Sequence, residues 1–123
     1  MKSVPYPLRG ALAAFCAASA LATAGYPDHP ISLVVGYPAG GSVDLTARLF
    51  GEELAKRMGQ SVVVENRPGA GGVIAAQVAA TAAPDGYTIF MGTVGTQVVN
   101  PLIYAKLSYD PDKFVPVGLV SGS

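Results

Sequence analysis

Side chains able to do covalent chemistry are scarce in this chain. Ser42 and Asp44 stand close together, a hydroxyl and a carboxylate, but as nucleophile and base they lack a histidine to carry the proton between them. The one histidine, His29, lies between Asp28 and Pro30 ahead of the first apolar run, and reads as a solvated lead-in residue. The one cysteine, Cys16, sits inside an N-terminal apolar run, so the rest of the chain has no thiolate nucleophile and no Cys-based metal site.

What the chain does have is glycine in loops. Three segments carry it: Tyr37-Pro38-Ala39-Gly40-Gly41-Ser42, Arg67-Pro68-Gly69-Ala70-Gly71-Gly72 and Gly92-Thr93-Val94-Gly95-Thr96. Each leads toward a helix start, where unpaired N–H groups and the helix dipole favour an anion. Glycine also lets backbone donors approach a ligand unobstructed. One such loop is explained as well by a tight turn as by a binding site. Three on one edge favour binding, in the form of a carboxylate cradle. Asp44 is open to two readings, contact with ligand or ordered water, or a first-turn carboxylate that suits the helix dipole. Arg67 is either an anion attractor or a solvated loop arginine.

The loops do not match nucleotide sites. A P-loop needs Lys and then Ser or Thr after its last glycine, whereas Ser42 and Val43 follow Gly41. The dinucleotide fingerprint needs a third glycine where Ile74 stands after Gly69 and Gly71. No cofactor and no metal are expected.

The elements that must position these loops follow from periodicity. Ile31 to Val35 is an apolar run rich in β-branched residues and too short for a buried helix. From Val43 to Met58, Ala47, Phe50, Leu54 and Met58 mark one helical face, with Ser42 as N-cap and Gly59 as the left-handed stop. Glu52 and Lys56 are spaced for an i,i+4 pair. Val62 to Glu65 is the second strand, and Val73 to Thr81 a second, alanine-rich helix. Pro84-Asp85-Gly86 is a turn, and Thr88 to Met91 a third strand. A helix opens around Gln97, and Asn100-Pro101 is expected to limit it, because a residue before proline avoids helical angles. Lys106 to Tyr109 reads as extended and Asp110 to Phe114 as a single turn. Val115 to Val120 is a fourth strand candidate, weakened by Pro116. Alternating strands and helices predict an α/β fold with a mostly parallel sheet, helices on both faces and right-handed crossovers. Ligands bind beyond the carboxyl ends of strands in such sheets.

The first residues do not belong to that fold. Lys2 and Arg9 give a positive start, Gly10 to Ala22 is uncharged and apolar, and Ala22-Thr23-Ala24 is a small-x-small cleavage pattern. Residues 1–24 are therefore expected to be a cleavable export signal, since a spanning helix needs roughly 20 apolar residues. Phe15 ahead of Cys16 argues against lipidation. The chain has 123 residues with eight basic and eight acidic side chains, so loss of Lys2 and Arg9 leaves a slight negative excess. No basic run or aromatic-interleaved patch points to nucleic acid.

The stretch from Tyr26 to Gly72, "YPDHPISLVVGYPAGGSVDLTARLFGEELAKRMGQSVVVENRPGAGG", resembles the start of a mature tripartite tricarboxylate transporter substrate-binding protein, also called a Bug receptor. Ala83 to Val120, "APDGYTIFMGTVGTQVVNPLIYAKLSYDPDKFVPVGLV", continues the resemblance. The ordered series PxGGxxD, ENRPGAGG and PDGYT is specific where any one of them alone is weak. The resemblance implies a periplasmic two-lobed clamshell that binds a small organic carboxylate, without covalent chemistry, and hands it to a membrane permease. It also implies a monomer. Ligand contacts would come from Tyr37, Pro38, Ala39, Gly40, Gly41, Ser42 and Asp44, from Gly69, Ala70 and Gly71, and from Thr93, Val94, Gly95 and Thr96. Members often carry Phe-Pro where Tyr37-Pro38 stands, so a phenol replaces a plain ring here. A full-length member runs to roughly 300 residues. Residues 25–123 thus correspond to the N-terminal part of the first lobe, and the second lobe is absent from this sequence. A fragment and a truncated, non-binding remnant remain alternatives, as, more remotely, does an exported α/β hydrolase.

Overall fold

The computed structural model describes residues 25–121; the segment expected to be an export signal, with Cys16, lies outside them. Strands β1 (Ile31–Val35), β2 (Val62–Asn66) and β3 (Thr88–Met91) form one parallel sheet in the order β2-β1-β3. Register is set by Leu33 opposite both Val64 and Ile89. β1 is central, so both its faces are covered, and Ile31, Leu33, Val34 and Val35 are all buried. That is why its sequence is apolar at four of five positions, with Ser32 the exception, instead of alternating.

Helix α1 (Ser42–Met58) connects β1 to β2, and α2 (Val73–Thr81) connects β2 to β3. The first connection moves outward to one side of β1 and the second crosses to its other side. With right-handed crossovers, this places α1 and α2 on opposite faces. Ala47 of α1 packs on Leu33 and Val35, with Val43, Phe50, Val62, Val64, Ile89 and Met91 around them. Gly51 belongs to the same contact, because a Cβ there would lie 3.3 Å from a Val62 methyl. On α2, Ala75 and Ala76 are fully buried, small enough for the helix to lie close to the sheet.

Gly59 ends α1 at φ 68°, with its N–H on the Ala55 carbonyl, as the glycine stop predicts. Lys56 pairs with Glu52 at 3.0 Å and also with Glu53 at 2.9 Å. The Asp85 turn is closed by its carboxylate, which accepts the Tyr87 N–H at 3.0 Å. The Asp110 carboxylate similarly accepts the Asp112 N–H and starts the one-turn helix Pro111–Lys113.

Three expectations need correction. Gly41, not Ser42, holds the N-cap position of α1, and no hydroxyl caps it; Ser42 is an exposed first helical residue. Asn100 is helical at φ −58° and ψ −43° despite preceding proline. A wide π turn over Gly95–Val99 runs directly into α3 (Asn100–Ile103), where Pro101 takes a first-turn position that needs no N–H donor. Finally, Val115 to Val120 is not a strand. Pro116 has no N–H to donate, neither edge of the sheet pairs with the segment, and Val115, Val117 and Leu119 face solvent.

The lead-in before β1 is more structured than a solvated tail. Tyr26 Oη donates to the Gly86 carbonyl at 2.6 Å, and Tyr87 Oη donates to the Asp28 carboxylate at 2.7 Å. The His29 ring stacks on Tyr87 with centroids 3.5 Å apart, and its Nδ1 bonds Asp28.

Candidate functional site

The parallel sheet brings the three glycine loops to one edge, the carboxyl ends of β1, β2 and β3. In the order β2-β1-β3, the chain leaves β1 and β3 toward opposite faces, which opens a crevice between these two strand ends. That topological switch point is where ligands sit in open α/β sheets.

The loop after β1 is held from beneath by Asp44, which is 3% exposed. One carboxylate oxygen accepts the Gly40 N–H and the Arg48 Nε–H, each at 2.9 Å. The other accepts the Asn66 amide at 2.9 Å, and the same Asn66 nitrogen donates to the Tyr37 carbonyl at 3.0 Å. The Arg48 guanidinium, then the Gly40 N–H, then the Asn66 amide hold the Asp44 carboxyl down at a pKa of about 2. Of the two readings of Asp44, this geometry favours the internal one, since both oxygens accept hydrogen bonds from the protein. Gly40 at φ +90° lets the chain double back onto this carboxylate.

The loop after β2 turns through consecutive left-handed residues, Gly69 to Gly72, with Ala70 the one non-glycine at φ 49°. The Gly72 N–H returns to the Gly69 carbonyl at 3.0 Å, which closes a tight turn. Gly72 has no room for a side chain, since a Cβ there would lie 2.5 Å from the Thr96 methyl. Arg67 is paired with Glu65 at 3.2 Å.

The loop after β3 folds on itself. The Thr93 N–H donates to Thr96 Oγ1 at 2.9 Å, and that hydroxyl donates back to the Thr93 carbonyl at 3.1 Å. Thr96 is fully buried, and its carbonyl accepts the Tyr109 hydroxyl. Asn100 links this loop to the previous one: its amide donates to the Gly71 carbonyl at 3.0 Å and lies 3.3 Å from Tyr109 Oη. Between the first and third loops, Tyr37 Oη lies 2.9 Å from Thr93 Oγ1.

The expected site residues therefore divide into two groups. Pro38, Ala39, Gly40, Gly41, Ser42, Gly69, Ala70, Gly71 and Val94 are exposed along the edge, with Tyr37, Thr93 and Gly95 half-buried among them. Asp44 and Thr96 are buried and brace the loops from behind. Asn66, Asn100 and Tyr109 also brace the site, although nothing in their local sequence marks them for it. His29 precedes β1, on the opposite edge of the parallel sheet from Ser42, so the two do not assemble with Asp44 into a triad. Among the described residues no metal-holding cluster occurs, and no helix is long and apolar enough to cross a membrane.

A parallel sheet with glycine turns gathered at its switch point fits the α/β, periplasmic-binding-protein-like class of fold. Residues 46–121 match the model of the tripartite tricarboxylate transporter family receptor, and the chain belongs to that family. A UPF0065 protein of Bordetella bronchiseptica is 44% identical over 80% of this chain and 32% of its own length. Among solved structures, MatC of Rhodopseudomonas palustris with bound malate is 43% identical with a TM-score of 0.69, over 72% of this chain and 30% of that one. Rpa4515 of R. palustris with adipate is 41% identical, also at 0.69, over 72% and 29%. These neighbours bear out the periplasmic-binding-protein-like α/β fold. The chain spans about 30% of the length of the relatives it matches.

Proposed function

We propose that this chain forms the first-lobe side of an extracytoplasmic receptor that binds a small organic carboxylate non-covalently and delivers it to a membrane permease. The observation that carries the reading is the convergence of the three glycine turns at the switch point, tied together by Tyr37–Thr93 and Asn100–Gly71. Exposed backbone at helix starts supplies donors and positive potential suited to an anion. The adipate and malate bound in two solved relatives support a carboxylate as its chemical class. Export by cleavage after Ala24, a periplasmic location and a monomeric state belong to the same reading. So does the absence of catalysis, because the hydroxyls and carboxylates of the edge have no histidine beside them.

Thermal melting with and without a panel of mono-, di- and tricarboxylates, adipate and malate included, tests it. A carboxylate that binds the folded chain raises its melting temperature by mass action. A flat response across the panel to millimolar concentrations rejects the proposal.

A further inference from the structure

We infer that the Tyr37–Thr93 hydroxyl pair is the side-chain donor that fixes one ligand carboxylate oxygen in the crevice between the β1 and β3 loops; this rests on the receptor reading above. The argument is a count of hydrogens. Thr96 donates its hydroxyl hydrogen to the Thr93 carbonyl and accepts the Thr93 N–H, so it has nothing left to donate. Thr93 Oγ1 accepts the Thr96 N–H at 3.4 Å and lies 2.9 Å from Tyr37 Oη. Tyr37 and Thr93 own one hydroxyl hydrogen each, and the bond between them uses one. Whichever residue donates, the other's hydrogen has no acceptor among the described residues.

That spare donor stands at the switch point, on two half-buried side chains. Small neighbours keep its surroundings open: a Cβ at Gly95 would lie 3.3 Å from Tyr37 Oη, and one at Gly72 4.0 Å. An ionised carboxylate is an acceptor only, and it takes a neutral O–H in a charge-assisted bond stronger than water would make. Because the hydrogen can sit on either oxygen, the pair can donate from the β1 side or the β3 side without moving the loops. A phenylalanine at position 37 would keep the ring and free the Thr93 hydroxyl hydrogen, so only loss of both hydroxyls removes the donor.

The test is an NMR titration of the chain with adipate and with malate, for the unsubstituted protein, Tyr37→Phe, Thr93→Val, Thr93→Ser and the double variant Tyr37→Phe with Thr93→Val. Each single variant keeps one free hydroxyl and is expected to bind nearly as well as the parent, whereas the double variant is expected to bind about tenfold more weakly, the loss of one hydrogen bond to a charged group. Thr93→Ser restores the hydroxyl and is expected to bind like the unsubstituted chain. If the hydroxyls only tie the loops together, the melting temperature falls while affinity in the folded double variant stays put, and the inference is overturned. Unsubstituted protein that binds neither probe overturns the inference, and the receptor reading falls with it only if the whole carboxylate panel is also flat. Binding that survives undiminished in the double variant overturns it alone.

Discussion

The Asp44 carboxylate accepts the N–H of Gly40, four residues earlier, and thereby clamps the loop after β1 onto the first turn of α1. With Arg48 and Asn66 on the same carboxylate, a helix side chain sets the path of a loop whose exposed face is the candidate binding edge.

This clamp makes stability depend on acid. Folding lowers the Asp44 pKa from 3.8 to about 2, so the stabilisation is fully present above pH 3.8. It is lost as pH falls through about 2, where the folded chain must also take up the proton. Asp44→Asn is expected to be less stable than the parent at neutral pH, and the gap should close between pH 4 and pH 2. Chemical denaturation at several pH values measures it; a gap independent of pH would contradict the clamp.

Close approach of the second and third loops predicts a sharp contrast between two glycines. Gly72→Ala combines a left-handed backbone, φ +87°, with a Cβ 2.5 Å from the Thr96 methyl. Strain and overpacking together should cost about 3 kcal/mol. Gly40 has a similar φ of +90° but open space around it. Gly40→Ala should therefore cost only about 1 kcal/mol, the backbone part alone. Urea denaturation of the two variants gives both values, and equal losses would refute the close packing.

Tyr109 is buried at 6% exposure, with its hydroxyl on the Thr96 carbonyl and the Asn100 amide. Tyr109→Phe leaves a buried carbonyl short of a donor, at a cost of about 1–2 kcal/mol. Because Asn100 also holds Gly71, amide exchange in the Gly69–Gly72 turn should speed up more than exchange in β1. Hydrogen exchange followed by NMR distinguishes this from a uniform loss of stability.

At the other edge of the sheet, the Tyr87 hydroxyl and then His29 hold the Asp28 carboxyl below its usual range. Tyr87→Phe removes the larger cause, so the Asp28 pKa is expected to rise toward 3.8. The side-chain carboxyl shift of Asp28, titrated in both proteins, reports it directly. An unmoved pKa would mean that the lead-in is not held by Tyr87.

The sequence by itself determined the elements whose signals are local. The strand-forming run at Ile31–Val35, rich in β-branched residues, the helical spacing through Ala47 and Leu54, Gly59 as a stop and the Asp85-Gly86 turn are all satisfied by residues a few positions apart. Strand order was not spelled out, yet the alternation of strand and helix already implied a parallel sheet with the three glycine loops on one edge. The ordered motifs named the family for the same reason: they are contiguous. Only the tertiary structure decided what the polar side chains do. Asp44 could equally have faced a ligand or its own loop, and its bond to Asn66, twenty-two residues away on β2, is one that no local pattern announces. Tyr37 and Thr93 are fifty-six residues apart, and Asn100 and Gly71 twenty-nine, so no periodicity couples them. Tertiary contacts also carried Asn100 into a helical conformation against its proline neighbour, and left Val115 to Val120 without a strand to pair with. Local propensities are worth tenths of a kcal/mol to about 1 kcal/mol per residue, so a buried amide bond or an absent neighbouring strand is enough to override them.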